Sequence, residues 1–190
     1  MPDVELVRSD SPRVSELEAT GYRLLGESWG ARLRYGPGAL GALQLAMSRA
    51  DVDLTELGPE FAVAVFELET ATSADYPETP SSPHRSRDLP AIRALWEDCR
   101  LYGALDGNRL VAVAAISRDG ERAEVEFASV LSDYRGQGVG AAIVAFAITQ
   151  EAGRGAAEFR TGGAVGNTAS LSTARSIGFV IDERWLTYSR

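Results

Sequence analysis

Three glycines at alternate positions carry the most specific chemical signal in this chain: Tyr134-Arg135-Gly136-Gln137-Gly138-Val139-Gly140, set between a strand pattern and a helix pattern. Glycine lets a backbone come close to a ligand, and a helix start presents unpaired N–H groups and the positive end of the helix dipole. Together these features suit a diphosphate. Just upstream, Glu124 and Glu126 stand two residues apart on a strand pattern, hence on one face, where mutual repulsion can raise one carboxyl pKa towards the working range of a general base. The same pair reads equally well as a solvated strand face. In the loop of residues 73–87, Asp75 offers a carboxylate to an ammonium group and Tyr76 a ring that can stack on a cation; a solvated proline-rich loop is the alternative there.

Other chemistries are excluded by what is missing. Cys99 is the only cysteine and His84 the only histidine, so neither an internal disulfide nor a metal site built from paired thiolates or imidazoles is available, and we expect no metal. Nineteen basic against 27 acidic side chains give a net charge of −8, which repels phosphate backbones and argues against nucleic-acid binding. No stretch approaches the ~20 consecutive apolar residues needed to span a bilayer. The opening MPDVELVRSD has no apolar signal region, and we expect a cytoplasmic protein with no membrane partner.

The elements that must position these residues follow from periodicity. Residues 1–54 read as an extension, with a candidate strand at 27–34 and a helix at 39–50 after the Gly-Pro-Gly break. Pro59 opens a helix bearing Phe61, Val65 and Leu68 on one stripe, and Asp88 caps another that places Ile92, Leu95, Trp96 and Cys99 on one face. Three strands follow, at 101–105, 109–117 and 122–130, joined by turns at Asp106-Gly107-Asn108 and Asp119-Gly120 and so antiparallel. A helix from 139 to 150, with Val139, Ile143, Phe146 and Gln150 on one side, a strand at 156–161, a helix at 168–176 and a strand at 179–188 complete the chain. This order predicts a mixed α/β sheet rather than a doubly wound parallel one.

Two nucleotide-binding folds also use glycine loops. Gly136, Gly138 and Ala141 fit a relaxed dinucleotide fingerprint, with Glu158 near the place of the ribose-binding acid. Against that, the strand leading in carries two charges on one face, and too few residues follow the loop to complete such a fold. No lysine follows the loop where a Walker A motif needs one.

The stretch from Val130 to Gly140 resembles the Q/R-x-x-G-x-G/A signature of the GNAT superfamily of N-acetyltransferases, with Arg135, Gly138 and Gly140 at its fixed positions. Asn167 to Phe179 resembles that family's closing segment, and the likeness covers residues 55–190, the proposed acetyltransferase domain. It implies an α+β mixed sheet with splayed central strands and acetyl-CoA as cosubstrate. It further implies that the backbone of Arg135, Gly136, Gln137, Gly138, Val139 and Gly140 holds the pyrophosphate. Ser129 and Val130 would pair through their main chains with the pantetheine arm, and Asn167 would touch the pantetheine or the acceptor. By position Glu124 would be the general base, with Glu126 beside it, and Asp75 and Tyr76 would meet the acceptor.

One departure stands out: the tyrosine that commonly protonates the leaving thiolate in that family is here Ala174, leaving Ser170, Ser172, Tyr188 or an unassisted thiolate. The implied activity is transfer of an acetyl group to a primary amine of a small molecule or peptide, with a homodimer as a possible assembly. A non-catalytic acyl-CoA-binding module is the rival reading, and a dinucleotide-dependent oxidoreductase a weaker one. Residues 1–54 echo the end of the chain, Gly21-Tyr22 and Glu27-Ser28-Trp29 against Gly178-Phe179 and Glu183-Arg184-Trp185, as a remnant of a second GNAT-like half would.

Overall fold

The structure, a computed structural model, describes residues 3–75 and 87–190. In chain order its elements are β1 (Val4–Arg8), α1 (Arg13–Ala19), β2 (Arg23–Arg34), α2 (Pro37–Ser48), β3 (Asp53–Leu57), α3 (Ala62–Thr72), α4 (Leu89–Asp98), β4 (Cys99–Asp106), β5 (Arg109–Asp119), β6 (Arg122–Val130), α5 (Val139–Gly153), β7 (Glu158–Ala164), α6 (Thr168–Ser176) and β8 (Val180–Ser189). Local chemistry explains many of the boundaries. Pro37 opens α2, where its missing N–H costs nothing. Asp88 caps α4, its Oδ1 accepting from Ala91 N at 2.9 Å.

Among the described residues one mixed sheet of eight strands forms, in the order β1-β8-β2-β7-β6-β5-β4-β3. The run β4–β5–β6 is the antiparallel meander read from the turns. Segment 27–34 lies within β2, which pairs antiparallel with both β7 and β8 and fills the space between them. β1, α1 and β3 are additions to the elements read from periodicity, since five-residue strands and a seven-residue helix give it too few positions to register. Cys99 opens β4 instead of closing the preceding helix, yet it still packs against the same apolar cluster as Ile92.

The sheet carries a core on each face. On one side α3 and α4 bring Val65, Leu68 and Ile92 against Leu101 and Val113. On the other, α2, α5 and α6 bring Leu43, Ile143, Ile148 and Ile177 against Phe159 and Tyr102. The single stripe expected on α5 is too narrow: Ala142, Val144, Ala145 and Ala147 are buried as well, because α2 packs along α5 and covers a second side. Each such large apolar side chain contributes on the order of 1.5–3 kcal/mol by leaving water.

Candidate active site

β6 and β7 are parallel neighbours for only three residue pairs, Arg122↔Glu158, Ala123↔Phe159 and Glu124↔Arg160, and then part. Two features drive them apart. The β5–β6 register slips between Ala115 and Ile116, so that Glu126 is an extra residue in β6, a bulge that bends and twists its strand. Meanwhile β7 is held to β2 along its whole length, up to Ala164↔Ser28. The result is a cleft of about 1260 Å³, walled by residues 125–130 of β6 and 161–164 of β7 and bounded by the start of α5, α6 and the end of α3.

At the top of this cleft the glycine loop turns into α5. Gly136 and Gly138 adopt left-handed φ angles of 73° and 83°, which side-chain-bearing residues rarely adopt. Gly138 is the N-cap and offers no side-chain cap, and the backbone bond from Ala142 N to Gly138 O is the first of the helix, so the amides of residues 139–141 precede the intrahelical ladder. A Cβ on Gly140 would stand 3.4 Å from Val130 Cγ2, on the side of the cleft. Bare amides, a dipole and missing side chains fit a diphosphate.

The residues singled out in the sequence fall into place as follows. Gly136, Gly138, Val139, Gly140, Ser129, Val130 and Asn167 all line the cleft. Gln137 does not; its amide nitrogen donates to the Asp133 carbonyl at 2.6 Å. Asn167 caps α6 by accepting from Ser170 N at 3.1 Å. Arg135 donates from Nε to the Val130 carbonyl at 2.9 Å and from Nη2 to Asp75 at 2.6 Å, so it ties the loop to the end of β6 and to the turn after α3. Asp75 is thereby paired already, and an ammonium group would have to share it. Tyr76 and His84 lie outside the described residues.

Of the two strand carboxylates, Glu126 lines the cleft and accepts from Ser117 Oγ, while Glu124 sits at the apex where β6 and β7 last pair. Burial pushes the Glu124 carboxyl above the usual carboxylate range, the negative charges of Glu126 and Glu183 add to this, and Arg160 opposes it. Ala174, Ser170 and Ser172 border the cleft. Tyr188 does not: its hydroxyl donates to Glu18 at 2.9 Å within a separate cluster beside α1.

Periodicity missed a buried polar group. Glu69 on α3 accepts from Ser129 Oγ at 3.1 Å and from Arg87 Nη1 at 2.8 Å. Its signal was available, because Glu69 lies four residues after Val65 on the stripe assigned to the core, and a carboxylate there demands a partner. Also missed was Arg49, after α2, whose Cβ stands 3.7 Å from where a Gly138 side chain would begin.

The profile of the acetyltransferase (GNAT) family matches residues 65–179, a span that holds the cleft, the loop and both strand carboxylates. The chain belongs to the GNAT acetyltransferase family. No match was found among curated protein sequences. Among solved structures, this GNAT chain is similar to a GCN5-related N-acetyltransferase from Sphaerobacter thermophilus (TM-score 0.77, 13% identity, covering 100% of this chain and 60% of that one). A GCN5-related N-acetyltransferase from Kribbella flavida gives a TM-score of 0.63 at 18% identity, covering 98% and 67% of the two chains. The ribosomal-protein-S18-alanine N-acetyltransferase from Escherichia coli gives 0.58 at 16%, covering 73% and 92%. At such identities these structures share the fold, and this GNAT chain spans 60% of the length of the Sphaerobacter protein. Among the described residues no group of three or more His, Cys, Asp or Glu is placed to hold a metal, and no helix is long and apolar enough to cross a membrane.

Proposed function

We propose that this GNAT chain is an acetyl-CoA-dependent N-acetyltransferase that acts on a primary amine of a small molecule or peptide in a ternary complex in the cytoplasm. The observation that carries the reading is the parting of β6 from β7 beneath the uncapped start of α5: a thiol-bearing arm enters between the strands while its diphosphate meets the amides of residues 136–140. Glu124, directly or through a water, takes the proton that the amine loses; the nitrogen bonds to the thioester carbonyl carbon and the carbon–sulfur bond breaks. Its raised pKa suits that task better than an ordinary surface carboxylate would. The sulfur leaves as a thiolate or takes a proton from Ser170 or Ser172, whose side chains border the cleft.

The rival reading, a non-catalytic acyl-CoA-binding module, draws on one observation: Ala174 lines the cleft with no hydroxyl to give. Calorimetry with acetyl-CoA, CoA and NAD, followed by CoA release over an amine panel, separates the readings. Binding of neither CoA species would remove both; binding without release would favour the module. The placement of β2 between β7 and β8 supports reading residues 1–54 as the tail of a second acyltransferase-like half.

A further inference from the structure

Beside the cleft, Arg87 pairs with the buried carboxylate of Glu69, and neither takes part in the acetyl transfer proposed above. Glu69 is only 2% exposed, and a carboxylate in such a place costs several kcal/mol unless its partners are well aligned. It has two, Ser129 Oγ and Arg87 Nη1, while the Arg87 guanidinium carbon stands 4.6 Å above the Phe127 ring. Arg87 is therefore held by one N–H and by the ring it stands over, yet its side chain stays 31% exposed and borders the cleft together with Phe127. A guanidinium carries five N–H donors in a rigid planar fork. Nη1 donates to Glu69, and the fork has further N–H groups to offer.

The charges along the cleft narrow what that fork can meet. Asp75 and Arg135 neutralise each other, and Asp88 is occupied in capping α4. Among the described residues that leaves Arg87 and Glu126 as the opposed charges lining the cleft. The two are neighbours across the cleft wall, since Arg87 stands over the ring of Phe127, the residue that follows Glu126 in β6.

We propose that Arg87 anchors an anionic group of the acceptor, so that the acceptor is a zwitterion, an amino acid or short peptide whose carboxylate meets the Arg87 fork while its amine turns towards Glu124 and Glu126. This rests on the acetyltransferase reading of the cleft. Glu69 acts as a positioning residue, through Arg87, and touches no reacting atom. A charge-assisted pair of hydrogen bonds from guanidinium to carboxylate is worth on the order of 10- to 100-fold in affinity.

The test compares acetyl transfer to the twenty free amino acids and a panel of dipeptides with transfer to their C-terminal amides, in wild type, Arg87→Ala, Arg87→Lys and Glu69→Gln, with CoA affinity measured on each by calorimetry. The wild type is expected to favour free acids over amides by roughly 10-fold or more in kcat/KM, a ratio that falls towards one in Arg87→Ala. Arg87→Lys keeps charge but loses the fork, and Glu69→Gln raises KM for acids more than it lowers kcat. Equal use of acids and amides by the wild type, an unchanged ratio in Arg87→Ala, or no acetylation of any free amino acid or dipeptide by a protein that binds CoA would each overturn the proposal. A wild type that binds no CoA would remove the acetyltransferase reading and the proposal together.

Discussion

Glu124 of β6 and Arg160 of β7 face each other at the last position where those strands pair, and just beyond them the cleft opens. Arg160 is itself bonded to Asp182 at 3.1 Å and Glu183 at 2.6 Å, so its charge is shared, and Glu124 keeps a raised pKa despite the cation beside it. The apex between β6 and β7 thus combines strand geometry with a carboxyl whose pKa is raised.

Replacing Glu124 by Gln should lower acetyl transfer by about 10²–10⁴-fold if it is the base. Because the base form is ionised, the wild-type rate should rise with pH through a midpoint above the ordinary carboxylate range; Arg160→Ala moves that midpoint up and Glu126→Gln moves it down. The folded state holds this proton more tightly than the unfolded chain does, so the stability the group lends is full below its unfolded pKa and lost as pH rises through the folded one. At neutral pH Glu124→Gln should therefore melt at the same temperature as wild type or higher. Unchanged turnover at every pH would remove Glu124 from the chemistry.

Gly138→Ala forces a side chain onto a φ of 83° at the start of α5. The strain should cost roughly 1–2 kcal/mol and weaken CoA binding by disturbing the amides that follow. Urea denaturation and calorimetry read the two effects, and an undiminished affinity would argue that the loop does not hold the diphosphate.

Far from the cleft, Glu151 is fully buried at the end of α5, accepting from the Tyr102 hydroxyl and facing Arg100 at 3.3 Å and Arg154 at 3.7 Å. Burial and this carboxylate push the Tyr102 hydroxyl well above its usual pKa. Glu151→Ala should destabilise the fold by about 3 kcal/mol, since it strands the buried Tyr102 hydroxyl and leaves a cavity, and should leave CoA affinity within about twofold. A stability loss below about 0.5 kcal/mol would show that the network is ornamental.

Cys99 is half-buried, and its thiol is pushed up to about 11, first by burial and then by Glu126 and Asp98. At pH 7–8 the thiolate is scarce, so alkylation followed by mass spectrometry should be slow on the folded protein and fast once it is unfolded. Rapid labelling of the native protein would contradict the packing described.

Deleting residues 1–34 should abolish soluble folding, because it removes Trp29, Ala31 and Leu33 from the core and leaves β7 and β8 without the strand between them. A well-folded truncated protein that binds CoA would show that β2 is dispensable.

Local pattern was enough to read the meander, the helix after the glycine loop, the Asp88 cap and the loop itself, because each depends on residues within a turn or two of one another. Glu124 and Glu126 were legible as a pair for the same reason. Which strands become neighbours is a different matter: alternation records that a face is buried and says nothing about the partner, so the entry of β2 between β7 and β8, more than a hundred residues away in sequence, was decided only when the chain closed. The pairing of Asp75 with Arg135, the burial of Glu69 against Arg87 and Ser129, and the displacement of Tyr188 to a separate cluster are likewise products of tertiary packing. Charges and hydrogen-bond groups find their partners in space, after the hydrophobic faces have chosen theirs.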